Sequence, residues 1–146
     1  MLFVSARGSH SIFLAPERMS TDFAWTCQIC GSTAPPSKVS DITRTPEVLM
    51  LQLKRWAGRE ELGALLHRVE ANQMLTFGDR EYSLCSFVSH IGPIPKAGHY
   101  TCCVKNPSAR GEWWYYNNSM RRLARDSDLD TSAAERTYLL LYERLP

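Results

Sequence analysis

The sequence predicts a single α+β domain built mainly on an antiparallel sheet with short helices. Three observations carry that prediction. From Glu47 onward, segments rich in aromatic and β-branched residues recur between clusters of Gly, Pro, Asn and Ser, which is the pattern of strands joined by turns. Helical spacing is confined to two short stretches. A chain of 146 residues, 44% hydrophobic and 22% charged, can bury one real core but is too short for two domains of the usual size, roughly 100–200 residues each.

Taken in order, residues 1–22 mix Ser, Gly, Arg and Pro without a sustained period and form a poorly defined lead-in to a domain spanning 23–146. The run FAWTCQICG, Phe23–Gly31, is short and aromatic, and STAPPSK then breaks it, so the segment reads as strand, turn and loop. Glu47–Trp56 follows Pro46 and sets Leu49, Leu51 and Leu53 on one parity and Val48, Met50 and Gln52 on the other, which fits a central strand. Arg59–Val69 places Leu62, Leu65, Leu66 and Val69 at helical spacing, weakened by Gly63. Strands are expected over Tyr82–Ile91, His99–Val104, Glu112–Asn117 and Tyr138–Tyr142. Between the last two, Asp126–Glu135 suits one or two helical turns with Ser127 as the N-cap.

Composition excludes several classes of partner. Seventeen basic against 15 acidic side chains leave a formal charge of +2, too balanced for the concentrated basic face of a nucleic-acid or membrane-surface binder. No window approaches the ~18 apolar residues of a membrane-spanning helix. The N-terminus has no basic stretch ahead of its apolar residues, so it does not read as a signal peptide. Five cysteines, two of them adjacent at Cys102 and Cys103, fit a reducing, intracellular compartment (cytoplasm, nucleus or both) better than a disulfide framework.

Two constellations could carry chemistry. In Cys27-Gln-Ile-Cys30-Gly31, two thiolates separated by two residues can grip one tetrahedral metal from a tight turn, but they supply only half of a four-ligand zinc site. Incidental cysteines and a redox pair are the competing readings, the last weakened by the lack of a strand-then-helix setting. In Gly98-His99-Tyr100, His99 opens a strand after the loop GPIPKAG, a fitting place for a general base. The next strand ends at Asn117. Paired strands can bring its amide oxygen to the Nδ1 proton of His99, leaving Nε2 to face a nucleophile, as in a Cys-His-Asn triad. A lone histidine in such a place is more often only solvated or hydrogen-bonded. His90 reads as a strand-end histidine that packs locally, and alternation along Trp113–Tyr116 sends about two of the four rings to the core.

These segments, in this order, resemble the C-terminal half of the ubiquitin-specific proteases, the papain-like cysteine proteases that remove ubiquitin. Cys27-x-x-Cys30-Gly31 and Pro46 through Trp56 are similar to the family's finger knuckle and its LKRF-type strand. Tyr82 through Gly92, Gly98-His99-Tyr100-Thr101, Gly111-Glu112-Trp113, Tyr116 through Ser119 and Tyr138 through Glu143 resemble its histidine box and closing strands. The resemblance implies the palm portion of a papain-like cysteine protease that cleaves after the C-terminal glycine of ubiquitin. It makes His99 the base, Asn117 its orienter and Asn118 a third catalytic position, where the family usually carries an Asp that helps polarise the site. It assigns Gly98 and Tyr100 to the substrate channel, and Cys27 with Cys30 to half of a structural zinc site. No cofactor is implied for the chemistry. Ubiquitin or ubiquitinated proteins are the implied partners, with no nucleic acid or membrane. The family's nucleophile lies in an Asn-x-Gly-x-x-Cys box, which does not occur in these 146 residues. Either the sequence is a truncated form of a longer one, or a separate chain supplies the thumb with its cysteine, or the chain is a pseudoenzyme that binds ubiquitin or serves as a scaffold. A small zinc-ribbon interaction module, a third reading, needs two more ligands.

Overall fold

The computed structural model describes residues 2–3, 16–18, 26–33, 37–53, 55, 69–94, 97–109, 111–131 and 137–146. The chain divides into two compact units, Gly8–Arg44 on one side and Met1–Arg7 with Thr45–Pro146 on the other. The expected lead-in is therefore shared between them. The helix expected over Arg59–Val69 lies outside the described residues apart from Val69, and so does Phe23.

The larger unit is one eight-stranded sheet. Its strands are β1 (Leu2–Phe3), β4 (Val48–Gln52), β5 (Met74–Phe77), β6 (Arg80–Ile94), β7 (Ala97–Lys105), β8 (Trp113–Asn117), β9 (Met120–Leu123) and β10 (Thr137–Arg144). Along the sheet they run β1-β4-β10-β6-β7-β8-β9, with β5 paired to β6. Every pair is antiparallel except β1 with β4. The smaller unit contains β2 (Glu17–Arg18) paired antiparallel with β3 (Ser37–Lys38).

Side-chain alternation decides what the sheet buries. On β4 and just past its end, Leu49, Leu51 and Leu53 face the core while Val48 and Met50 stay exposed. A register shift where β10 passes from Leu141 to Tyr142 inserts an extra residue in β6. That shift lets Tyr82, Leu84 and Phe87 all face the core despite their broken parity. The two buried tyrosines keep their hydroxyls satisfied: Tyr82 donates to the Pro46 carbonyl at 2.6 Å and Tyr142 to that of Asn72 at 2.9 Å. Arg55 is buried and donates from Nε to the Thr137 carbonyl at 2.8 Å, tying the end of β4 to β10.

Three expectations are corrected. Strands β5 and β9 were not anticipated. Only Trp113 of the run 113–116 is fully buried; instead of the core, Trp114 and Tyr115 meet arginines, with Arg121 4.3 Å above the first ring and Arg122 4.2 Å above the second. The short helix α1, Asp126–Leu129, takes Arg125 as its N-cap, not Ser127. The Arg125 N–H donates to the Asp128 carboxylate at 2.8 Å, which starts the turn earlier. Among the described residues no helix is long and apolar enough to cross a membrane.

Candidate active site

The site grows from the hairpin of β7 and β8. Their register pairs Cys102 with Tyr116 and Cys103 with Tyr115, and its continuation sets Asn117 opposite Thr101. His99 is two residues from Thr101, on the same face, so His99 and Asn117 are diagonal neighbours within reach of a long side chain. The structure joins them: Nε2 of His99 lies 2.6 Å from Oδ1 of Asn117. An amide oxygen only accepts, so Nε2 carries the proton and Nδ1 is left with its lone pair. The ring is thus turned opposite to the expected orientation. The diagonal offset is the reason, since it is the far ring nitrogen that spans it.

The amide of Asn117 is held in turn. Its Nδ2 donates to the Tyr115 hydroxyl at 3.5 Å. Arg122 stacks over the Tyr115 ring and makes two bonds to Asp128, at 2.6 and 2.9 Å. That guanidinium holds the Asp128 carboxyl below its ordinary value. Sequence reasoning missed Tyr115, Arg122 and Asp128 as supports. The Asn-Asn-Ser turn followed by paired arginines is the signal that could have found them.

Asn118 stands apart from this pair. It is exposed, with φ of 51°, in the two-residue turn Asn118–Ser119 between β8 and β9. Asparagine is one of the few residues that adopts this conformation readily, so the local fold accounts for it.

Gly98 and Tyr100 flank His99, both exposed in part. The side-chain space of Gly98 is filled by the His90 ring. Close packing therefore requires the glycine there, whatever passes along its open side. His90 itself is buried against Tyr100, with ring centroids 4.7 Å apart, which is the local packing expected of it.

Three cysteines of the larger unit are engaged elsewhere. Cys85 Sγ approaches the Leu141 carbonyl, Cys102 the Ser86 hydroxyl and Cys103 the Asp128 carbonyl. Burial raises the thiols of Cys85 and Cys103, the latter to about 12. A thiol so placed makes a poor nucleophile.

In the smaller unit Cys27 and Cys30 sit on one turn. The Gly31 N–H donates to the Cys27 carbonyl at 2.8 Å, and the Cys27 N–H to that of Ser32 at 3.0 Å, with Gly31 at φ 68°. The Cys30 backbone N–H, followed by that of Ile29, holds the Cys27 thiol below its ordinary value. This donor set fits two ligands of a thiolate metal site. No group of three or more ligating side chains occurs among the described residues.

The ubiquitin carboxyl-terminal hydrolase family profile matches residues 18–142. Mouse ubiquitin carboxyl-terminal hydrolase 4 is 30% identical over 152 residues, an alignment covering 97% of this chain and 15% of that protein. The Arabidopsis thaliana ubiquitin carboxyl-terminal hydrolase 4 is 28% identical over 152 residues, with 91% and 41% covered. Among solved structures, a chain of the SAGA DUB module bound to ubiquitin aldehyde superposes with a TM-score of 0.78 at 25% identity, covering 99% of this chain and 35% of that one. The same module bound to monoubiquitin gives a TM-score of 0.76 at 28% identity, covering 94% and 32%. The chain thus spans less than half the length of the relatives it matches. Its mainly antiparallel sheet is that of the papain-like cysteine proteases, and the chain belongs to the ubiquitin carboxyl-terminal hydrolase family.

Proposed function

We propose that this chain is the palm of a deubiquitinating cysteine protease and supplies its base and orienter, while the nucleophilic cysteine comes from a thumb segment outside these 146 residues. The observation that carries the reading is the 2.6 Å contact between His99 Nε2 and Asn117 Oδ1. Asn117 holds the ring in one tautomer, so Nδ1 is the nitrogen that takes the thiol proton. The resulting thiolate, paired with the imidazolium, attacks the carbonyl of the C-terminal glycine of ubiquitin. His99 then gives its proton to the leaving amine, and in the second half of the cycle takes one from the water that releases the acyl-enzyme. Asn118 shapes the turn that presents Asn117. The backbone at Gly98 and Tyr100 borders the approach of the glycine tail, the exposed side of Gly98 leaving it open.

No cofactor takes part in this chemistry. Cys27 and Cys30 provide two thiolates toward a structural zinc, whose remaining ligands lie elsewhere. The free thiols of the chain support a reducing, intracellular setting. Ubiquitin is the partner in the similar DUB-module structures, and it is the partner we assign to this chain.

The test is turnover of a fluorogenic ubiquitin C-terminal amide. The 146 residues alone are expected to give none, because loss of the nucleophile costs on the order of 10⁶ in turnover. Addition of a thumb segment carrying an Asn-x-Gly-x-x-Cys box is expected to restore it. A second reading, a non-catalytic ubiquitin-binding module, rests on Asn118, an uncharged residue where the family usually carries Asp. It predicts ubiquitin binding but no turnover after the thumb has docked.

A further inference from the structure

His90 is a buried titratable group that this mechanism leaves unused. It is 2% exposed and stands opposite Tyr100 across β6 and β7, next to the pair formed by Ile91 and His99. Alternation sends Gly98, Tyr100 and His90 to the face of the sheet behind His99. There the His90 ring occupies the volume that a side chain at Gly98 would need. A β-carbon on Gly98 would fall 2.2 Å from Nε2 and 2.6 Å from Cε1 of His90, and one on Gly92 would fall 3.2 Å from Cε1. Tyr100 closes the other side of the ring. Tyr138 backs Tyr100, with centroids 6.2 Å apart, and its hydroxyl accepts a bond from Gln52. The ring is therefore clamped between two glycine backbones and a supported tyrosine. One of those glycines immediately precedes His99.

We infer that His90 is a positioning residue: its ring is a wedge that sets the course of the Gly98–His99 backbone, and with it the angle at which His99 presents Nε2 to Asn117. The inference rests on the reading of His99 as the base. Burial holds the His90 imidazole below its ordinary value, so at neutral pH the wedge brings no charge to the back of the site.

Long-range ¹⁵N–¹H spectra of the 146-residue chain test this by showing whether the Nε2 proton of His99 is held in a hydrogen bond and protected from exchange with water. In the parent chain a protected Nε2 proton is expected, and Asn117→Ala is expected to lose that protection. A parent chain without the protection overturns the reading of His99 itself, before His90 enters. Given the protection, His90→Ala and Gly98→Ala are each expected to lose it, the first by removing the wedge and the second by driving a methyl into it. The double variant H90A/G98A is expected to regain it in part, because the methyl then enters vacated space. A merely structural histidine would lower the melting temperature in these variants and leave the His99 ring unchanged. That result, or a double variant no better than the worse single one, overturns the inference. Where Gly98→Ala does not fold, His90→Ala and the double variant carry the same comparison.

Discussion

Cys103 and Cys30 carry the same thiol in opposite surroundings. Cys103 is 2% exposed, and burial, reinforced by the Asp128 carboxylate, pushes it up to about 12. Cys30 lies exposed on its turn, beside a Cys27 thiol that backbone N–H groups hold down. The thiolate is the reacting form, so at about pH 8 iodoacetamide is expected to label Cys27 and Cys30 in the folded chain and Cys103 only after denaturation. Peptide mass spectrometry reads that order, and native labelling of Cys103 ahead of Cys27 would contradict it. Tyr142 gives a second test. Burial raises its phenol from 10.0 to about 12, so the fold favours the neutral form. Its contribution is intact below pH 10.0 and is lost as pH rises toward about 12. Tyr142→Phe is expected to cost about 1 kcal/mol near neutrality by stripping the Asn72 carbonyl of its donor. It should also flatten the alkaline loss of stability, as denaturant melts on either side of pH 10.0 will show.

The β8–β9 hairpin is the element on which the site depends, because its turn follows Asn117 directly. With φ of 51° at Asn118, the turn accepts Asn, Asp or Gly and penalises a β-branched residue. Asn118→Asp is expected to leave stability within about 0.5 kcal/mol, whereas Asn118→Val should cost about 1–2 kcal/mol. Urea melts decide it, and a neutral valine would mean that the turn is not held in this conformation. The turn and β8 are legible in the sequence, from Asn-Asn-Ser and the aromatic run before it. Strand β9 is not, since Met-Arg-Arg-Leu carries little strand preference. Its arginines serve through partners across the hairpin, Trp114 and Tyr115, which a one-dimensional pattern does not contain. The helix start was misread for the same reason. Asp128 accepts the Arg125 N–H and pairs with Arg122 across space, outweighing the local preference for serine at an N-cap.

At the scale of the whole molecule, the order β1-β4-β10-β6-β7-β8-β9 puts the last strand of the chain between two earlier ones. The five runs read as strands from Glu47 onward are all strands, because each combines apolar alternation with turn residues at its ends. Their spatial order was not legible, since pairing β10 with both β4 and β6 joins residues far apart in sequence. For the site, His99 and Asn117 could be nominated from the motif alone, but the ring nitrogen that meets the amide came only with the register. On the proposed reading, this sheet holds a base and its orienter for a thiol that another segment brings. That reading is tested most directly by the turnover of a fluorogenic ubiquitin C-terminal amide once a cysteine-box thumb segment has been docked, with His99→Ala and Asn117→Ala compared side by side. His99→Ala is expected to abolish the restored activity and Asn117→Ala to lower it by about 10²-fold, the order lost when a catalytic group is misplaced by about 1 Å. Restored activity that survives His99→Ala would contradict it.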